Sequence, residues 1–352
     1  THTTGNNNTV VGTEAFKLNT TGTGNVAIGS KALCTATTSS NNTAVGCGVL
    51  LSTTTGAGNV AIGALALYTN TTGCNNVVIG NSASCTSTTA EFSTILGYKS
   101  SLSTTTGNNN STLGACTLHN NTTGNNNVAI GNSAMQDHTT GANGTAVGKG
   151  SLRVNTTGSG NTAFGSGAGK QITTGDNNTS IGGESGLVLT TGDYNIALGQ
   201  NSTHSGTGVN REIVIAYDET GKGSDTAFLD GSSGVFNKAN ATAWSQTSDR
   251  RIKKNIVDNN TGLDKINQIQ VRNFEYRTLD EITDFGEHKE SAVVKKEGIQ
   301  VGAIAQEIEE VLPELVTTQT TGVKTVNPDK LTWYLINAIK ELKAEIDELK
   351  KK

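Results

Sequence analysis

Proline is almost missing from this chain: there are two in 352 residues, and none precedes Pro313. A long proline-free stretch keeps every backbone N–H available, as an unbroken β ladder requires. Aromatic residues make up only 4% of the chain, which excludes one large globular core, because aromatic side chains carry much of the burial in such cores. No run of about eighteen apolar residues occurs, so no membrane insertion is expected. An excess of positive charge is lacking too. With a formal net charge of -4 and a pI near 5.8, nucleic acid is not an expected partner. The five cysteines (Cys34, Cys47, Cys74, Cys85, Cys116) are odd in number and show no CxxC spacing. Buried or half-buried free thiols are therefore expected, with no disulfide framework, metal site or cofactor. Thr1-His2-Thr3-Thr4-Gly5 carries no secretory signal and reads as a start within a longer protein.

What is abundant is glycine, 43 residues, and it is placed with a strict period. An aliphatic or aromatic residue followed by glycine recurs from Gly12 through Gly29, Gly46 and onward to Gly199, every step seventeen residues. A second glycine column (Gly5, Gly22, Gly56) and an asparagine column (Asn8, Asn25, Asn42) keep the same register. So regular a period makes each repeat one turn of a solenoid. Residues 1–200 hold only six Lys/Arg and six Asp/Glu, and the rest of the charge follows.

In Asn25-Val26-Ala27-Ile28-Gly29 the residues alternate as in a strand. Val26 and Ile28 are expected on the core face. The small column (Ala27, Ala44, Ala61, Ala129, Ala146, Ala163, Ala197) is expected outside, open to close approach by other copies of the chain. A companion segment adds an apolar column, Phe16, Leu33, Leu50, Leu67, Leu118, Met135 and Leu152. Thr-Thr-Gly then turns the chain. Two short strands and two turns per repeat predict a mainly β fold: a trimeric parallel β-roll or β-helix of twelve 17-residue rungs over 1–200, roughly 58 Å long at ~4.8 Å per strand. The asparagines either stack into a hydrogen-bonded ladder or face water at turns. This array resembles the head repeats of trimeric autotransporter adhesins, whose Asn-x-Val-Ala-Ile-Gly motif matches Asn25 to Gly29 and Asn127 to Gly131. That resemblance implies a left-handed parallel β-roll.

Two features of the array bear on chemistry. Asp176 and Asp193 share a column one rung apart, at a separation of roughly 5 Å that retaining glycosidases use. An acidic turn in solvent or a weak Ca²⁺ site accounts for them as well. One column varies freely (Lys17, Cys34, Leu51, Tyr68, Arg153, Lys170, His204 among it) and is either tolerant surface or a binding stripe. Its histidines, His119 and His204, have no partner histidine nearby and do not read as metal ligands.

Over 201–247 the register stops. Glu212 to Tyr217 and Thr226 to Leu229 read as an outward and a returning β segment capping the rod. The aromatics Tyr217, Phe228, Phe236 and Trp244 gather here, as cap core or as receptor contacts.

The composition changes at Ser248-Asp249-Arg250-Arg251-Ile252-Lys253-Lys254-Asn255-Ile256, and charged residues dominate from there. Taken with Gly302 to Ile308, Leu312 to Val316 and Leu331 to Leu342, this stretch resembles the intramolecular chaperone auto-processing domain of phage endosialidases and tail fibres, the S74 peptidase family. The resemblance implies a small α+β domain at 248–352. It also implies a dyad of Ser248 as nucleophile and Lys253 as general base, cutting the chain once at Thr247–Ser248 with no turnover enzyme. A lysine serves as base only if burial or neighbouring cations favour its neutral form, and Arg250, Arg251 and Lys254 lie alongside. A closing helix over 329–352, with Leu331, Leu335, Ala338, Leu342 and Leu349 on one seam, is expected to gather three chains as a short coiled coil.

Together these readings predict a homotrimeric phage tail fibre or virion appendage, extracellular after release. Its expected partners are a host receptor, for which a glycan is one candidate, and other fibre proteins through the N-terminus. A bacterial adhesin rod and a tailspike glycan hydrolase are the alternatives.

Overall fold

Seventeen residues are enough for one turn of chain that lays a short strand beside the strand before it, and the ladder repeats that step. The computed structural model describes residues 4–230, 250–286, 289–294, 296–319 and 321–352. The chain forms two units, Thr1–Asp230 and Gly231–Lys352.

The first unit is a parallel β-solenoid of fourteen three-residue strands, β1 (Thr9–Val11) to β14 (Ala227–Leu229), stacked in sequence order. Thirteen of them step by seventeen residues, with β1 opposite β2 (Val26–Ile28) and so on to β13 (Ile213–Ile215). At ~4.8 Å per step this sheet runs about 62 Å. The ladder therefore continues past the expected twelve rungs. β13 keeps the period although Ala216 stands where glycine did, and β14 joins after a shorter step, parallel to β13 rather than folding back on it.

The faces are the reverse of those expected. The middle residue of each strand points inward, and Ala27, Ala44, Ala61, Ala129, Ala146, Ala163 and Ala197 are fully buried. The third residue points outward. It is Val, Ile, Leu or Phe in every one of the fourteen strands, and Ile28, Ile79, Leu113 and Phe164 are among those left exposed. A seventeen-residue turn closes too tightly to hold two large side chains per rung. One large residue from the companion segment fills it instead: Phe16, Leu33, Leu50, Leu67, Leu118, Met135 and Leu152 lie buried against the alanines.

That companion segment is a repeated turn and not a second strand. Its residues alternate into the left-handed region, Lys31 at φ 58° and Leu33 at φ 50°, so no extended run can form. Left-handed non-glycine residues cost about 1 kcal/mol or more each. The strain is offset by hydrogen bonds to the next rung, such as Leu33 N–H to Val49 O at 3.0 Å.

The asparagines do form a ladder, and it is buried. Asn42 Nδ2 donates to Asn25 Oδ1 (3.3 Å) and to Gly56 O (3.0 Å), while Asn42 N–H also donates to Asn25 Oδ1. Buried amides satisfied in this way avoid the desolvation penalty of an unpaired polar group. At Gly144 the column loses its amide. Met135, the chain's only methionine, fills the gap, because a Cβ at Gly144 would lie 2.5 Å from Met135 Cε. The hydrophobic interior is also interrupted near mid-rod, where the Ser100 hydroxyl bonds those of Thr112 (2.7 Å) and Thr117 (2.6 Å).

The glycine after each strand is fixed by two constraints at once. Gly131 has φ 119°, and a Cβ there would stand 2.7 Å from the Gly148 carbonyl of the next rung. Gly131→Ala is expected to destabilise the rod by at least about 2 kcal/mol. A circular-dichroism melt of the variant that overlays the wild type would disprove this account of the column.

In the second unit, β15 (Arg272–Phe274) pairs antiparallel with β16 (Gln300–Gly302), and β17 (Val316–Thr318) with β18 (Lys324–Val326). Helices α1 (Leu263–Ile266), α2 (Lys289–Ala292), α3 (Ala305–Val311) and α4 (Pro328–Leu349) complete it. Its small core is Ile308, Leu312 and Leu315, with Val311, Val326, Leu331 and Tyr334 packed around them.

Candidate functional site

The long helix α4 has two faces, and they do different work. Leu331 and Tyr334 pack on the unit's core, Ala338 is buried, and the Tyr334 hydroxyl donates to Glu314. On the same helix Asn337 Nδ2 donates to Asn259 O (2.7 Å) and Thr261 O (3.2 Å), and Glu341 Oε2 accepts the Leu263 N–H at 2.7 Å. These bonds pin 259–263, the chain just after the Ser248 motif, to the helix. The exposed face carries Leu335, Ile339, Leu342, Ile346 and Leu349, a 4-3-4-3 spacing with no gap. The expected seam differed: Leu331 and Ala338 belong to the inner face, and Ile339 and Ile346 take their places outside. A continuous apolar heptad stripe is what a coiled-coil partner covers.

Upstream of the pinned segment, Arg250–Ile252 forms one 3-10 turn, and Lys253 N–H donates to Arg250 O at 3.2 Å. Lys253 and its neighbours Arg250, Arg251 and Lys254 are all exposed. Ser248 and Thr247 lie outside the described residues. Downstream, Glu307 forms a two-pronged ion pair with Arg272 (3.0 and 3.2 Å), which ties α3 to β15. Lys324 pairs with Glu309 at 2.5 Å and ties β18 to the same helix. Glu307 is thereby a structural residue of the unit.

Part of this unit has a family counterpart. Residues 248–317 match the family described as chaperone of endosialidase, Peptidase_S74. The match runs from Ser248 into β17 and includes Lys253. No curated protein and no solved structure matches the chain. A β-solenoid joined to a chaperone-family segment fits a trimeric fibre with a C-terminal assembly domain.

In the solenoid, Asp176 and Asp193 turn out to hold backbone. Asp176 Oδ1 accepts the Ser159 N–H (2.7 Å), Asp193 Oδ1 accepts the Asp176 N–H (2.8 Å), and Asn210 Oδ1 continues the series at Asp193. Each carboxylate caps the preceding rung, as Asn108 and Asn125 do elsewhere in the same column. A glycosidase acid pair loses its main candidates by this. Among the aromatics expected at the cap, Tyr217 is 70% exposed and Phe228 is half-buried, with Lys222 Nζ 4.8 Å from its ring centre. Phe236 and Trp244 lie outside the described residues. All five cysteines are free, and Cys47 is exposed where a buried or half-buried thiol was expected.

The cap also holds a group that the residue pattern hid. Seventeen residues beyond Asn195 the asparagine column reaches Glu212, whose N–H donates to Asn195 Oδ1 at 2.9 Å. Its carboxylate is fully buried, accepts the N–H groups of Ser205 (3.0 Å) and Gly223 (2.6 Å), and lies 3.3 Å from His204 Nδ1. Burial alone would raise the Glu212 pKa. The neighbouring His204 ring and the two backbone N–H groups outweigh burial and hold it below the ordinary 4.5. A carboxylate depressed in the folded state contributes stability above its unfolded value and loses it as pH falls through the folded one. The melting-temperature gap between wild type and Glu212→Gln is therefore expected to be widest near neutral pH and to narrow below about pH 4.5. A gap independent of pH would show that the ionised carboxylate does not hold the cap.

Proposed function

We propose that this chain is a homotrimeric fibre of a phage tail or virion appendage that attaches to a host surface. Its C-terminal unit brings three copies together and then severs itself at Thr247–Ser248. The observation that carries this reading is the joining, in one chain, of a ladder with one unpartnered apolar face to a unit of the chaperone family. Each unit presents an apolar stripe that a copy of itself would cover: the third-position residues of the strands, and the heptad face of α4. Contiguous exposed apolar stripes of this length mark association surfaces.

Assembly and cleavage are linked by the state of Lys253. A lysine that takes a proton from serine must be neutral when it does so, and desolvation favours the neutral amine. In the single chain Lys253 is exposed. Packing of three chaperone units around α4 supplies the missing burial, so cutting follows assembly and does not precede it. A rod of near-identical rungs needs such a device, because slipping by one rung costs little and non-local pairing is slow to nucleate. Light scattering on the Ser248→Ala chain tests the reading: three times 36.3 kDa is expected, and a monomer overturns it.

A further inference from the structure

The first two hundred residues carry only six cationic side chains. Three of them are engaged. Lys17 pairs with Glu14 at 2.9 Å, Lys31 reaches the same carboxylate at 4.0 Å, and Lys99 sits 5.2 Å from the centre of the Tyr98 ring. The other three, Lys149, Arg153 and Lys170, line a single cleft of about 370 Å³ on the rod, and among the described residues none of them has an ion-pair partner. Glu184 lines the cleft as well and is its one acidic group, so the lining carries a net positive charge.

The hollow is made by two successive missing side chains. The column that holds Glu14, Lys31, Leu65 and Lys99 in earlier rungs becomes Gly150 and then Gly167. A Cβ on Gly150 would meet nothing within 4 Å, so the floor is open. The walls add the amide of Asn132 and the hydroxyls of Ser133 and Ser166. No aliphatic or aromatic side chain lines the cleft, and none of its residues belongs to the outward apolar stripe.

We propose that Lys149, Arg153 and Lys170 form a binding site for an acidic saccharide, its charge carried by carboxylate or phosphate. Each cation is free to receive an oxyanion, and the Arg153 guanidinium can take one with two parallel N–H bonds. The hydroxyls, the amide and the glycine floor suit a hydroxyl-rich ring lying flat across neighbouring rungs. A protein partner would need a buried apolar or aromatic anchor, and single-stranded nucleic acid would need stacking platforms; the cleft offers neither. The site deepens the attachment role proposed above and rests on that role for its biological meaning.

The test is calorimetric titration of the full-length chain with three hexasaccharides, one carboxylated, one phosphorylated and one neutral, and with a single-stranded oligonucleotide of equal charge. Binding of an acidic hexasaccharide is expected, along with no neutral binding and at least about tenfold weaker affinity in the Lys149→Gln, Arg153→Gln, Lys170→Gln triple variant. Lys17→Gln should leave affinity unchanged. The two acidic probes tell carboxylate from phosphate. Absence of acidic binding, equal binding by the triple variant, or equal binding of the oligonucleotide overturns the site. Trimer mass and cleavage measured on the same preparation report separately on the fibre reading, so either idea can fail alone.

Discussion

Ser248→Ala is expected to leave a single full-length band on a heated denaturing gel, where the wild type resolves into a fragment of residues 1–247 and one of 248–352. The serine hydroxyl has to attack the carbonyl of Thr247, and alanine has nothing to attack with. Lys253→Ala should slow cutting by roughly 10²–10⁴, the usual contribution of a positioned general base. Lys253→Arg is the sharper variant, since it keeps the positive charge but cannot give up its proton at any accessible pH. If the arginine variant cuts at the wild-type rate, Lys253 acts only as a charge and the dyad is wrong. A reaction confined to one chain should run at a rate that does not depend on dilution of a trimer already formed. If assembly buries Lys253 as proposed, dilution before assembly should suppress it, because Lys253 is exposed in the single chain.

Leu113→Asp should convert the trimer of residues 1–247, left after the wild-type chain has cut itself, to a folded monomer. Leu113 is 52% exposed in the single chain, in the middle of the outward stripe. Burying such a side chain at an interface contributes about 1.5–3 kcal/mol, and a threefold interface buries three of them. An aspartate in their place is desolvated without a partner, which costs several kcal/mol more. The dissociation constant should weaken by at least about a thousandfold, while the far-ultraviolet spectrum of the monomer stays that of a β-solenoid. Ala129→Asp, one rung on and facing inward, should instead abolish folding, because Ala129 is fully buried against the next rung. A Leu113→Asp chain that remains trimeric would place the interface elsewhere.

These contrasting neighbours mark where sequence reading worked and where it stopped. The period located nearly every strand in advance, since a slip of one residue would bring a side chain to the place where only glycine fits beside the next rung's carbonyl. Alternation in Val26-Ala27-Ile28 showed that two faces exist but carried no information on which one is inside. Size argues for burying the valine and isoleucine; the width of a seventeen-residue turn argues for burying the alanine, and width prevails. The end of the rod was misplaced for a related reason. At β13 the two marker residues change together, Asn to Glu212 and Gly to Ala216, while the backbone register persists. In α4 the small Ala338 looked like a seam residue, yet it is buried where Gly262, at the start of α1, comes close: a Cβ on Gly262 would lie 2.5 Å from Ala338 N. The chaperone-like segment, by contrast, was legible in its residues: the family match over 248–317 takes in the Ser248 stretch, Gly302 to Ile308 and Leu312 to Val316.

The asparagine ladder has a consequence for length. Every amide in it points the same way: Oδ1 receives the N–H of the following turn, and Nδ2 donates to a carbonyl fourteen residues ahead, as from Asn42 to Gly56 and from Asn195 to Val209. Ser93 and Gly144 interrupt the series, and Glu212 ends it, since its carboxylate has no proton to donate and takes two N–H groups of the cap instead. The terminator is thus a single residue, separable from the cassettes before it. Adding or deleting one seventeen-residue cassette upstream of Asn195 should change the reach of the fibre by about 4.8 Å and leave both ends as they are. The molecule can be resized in whole increments, with span set by copy number and the two ends inherited unaltered.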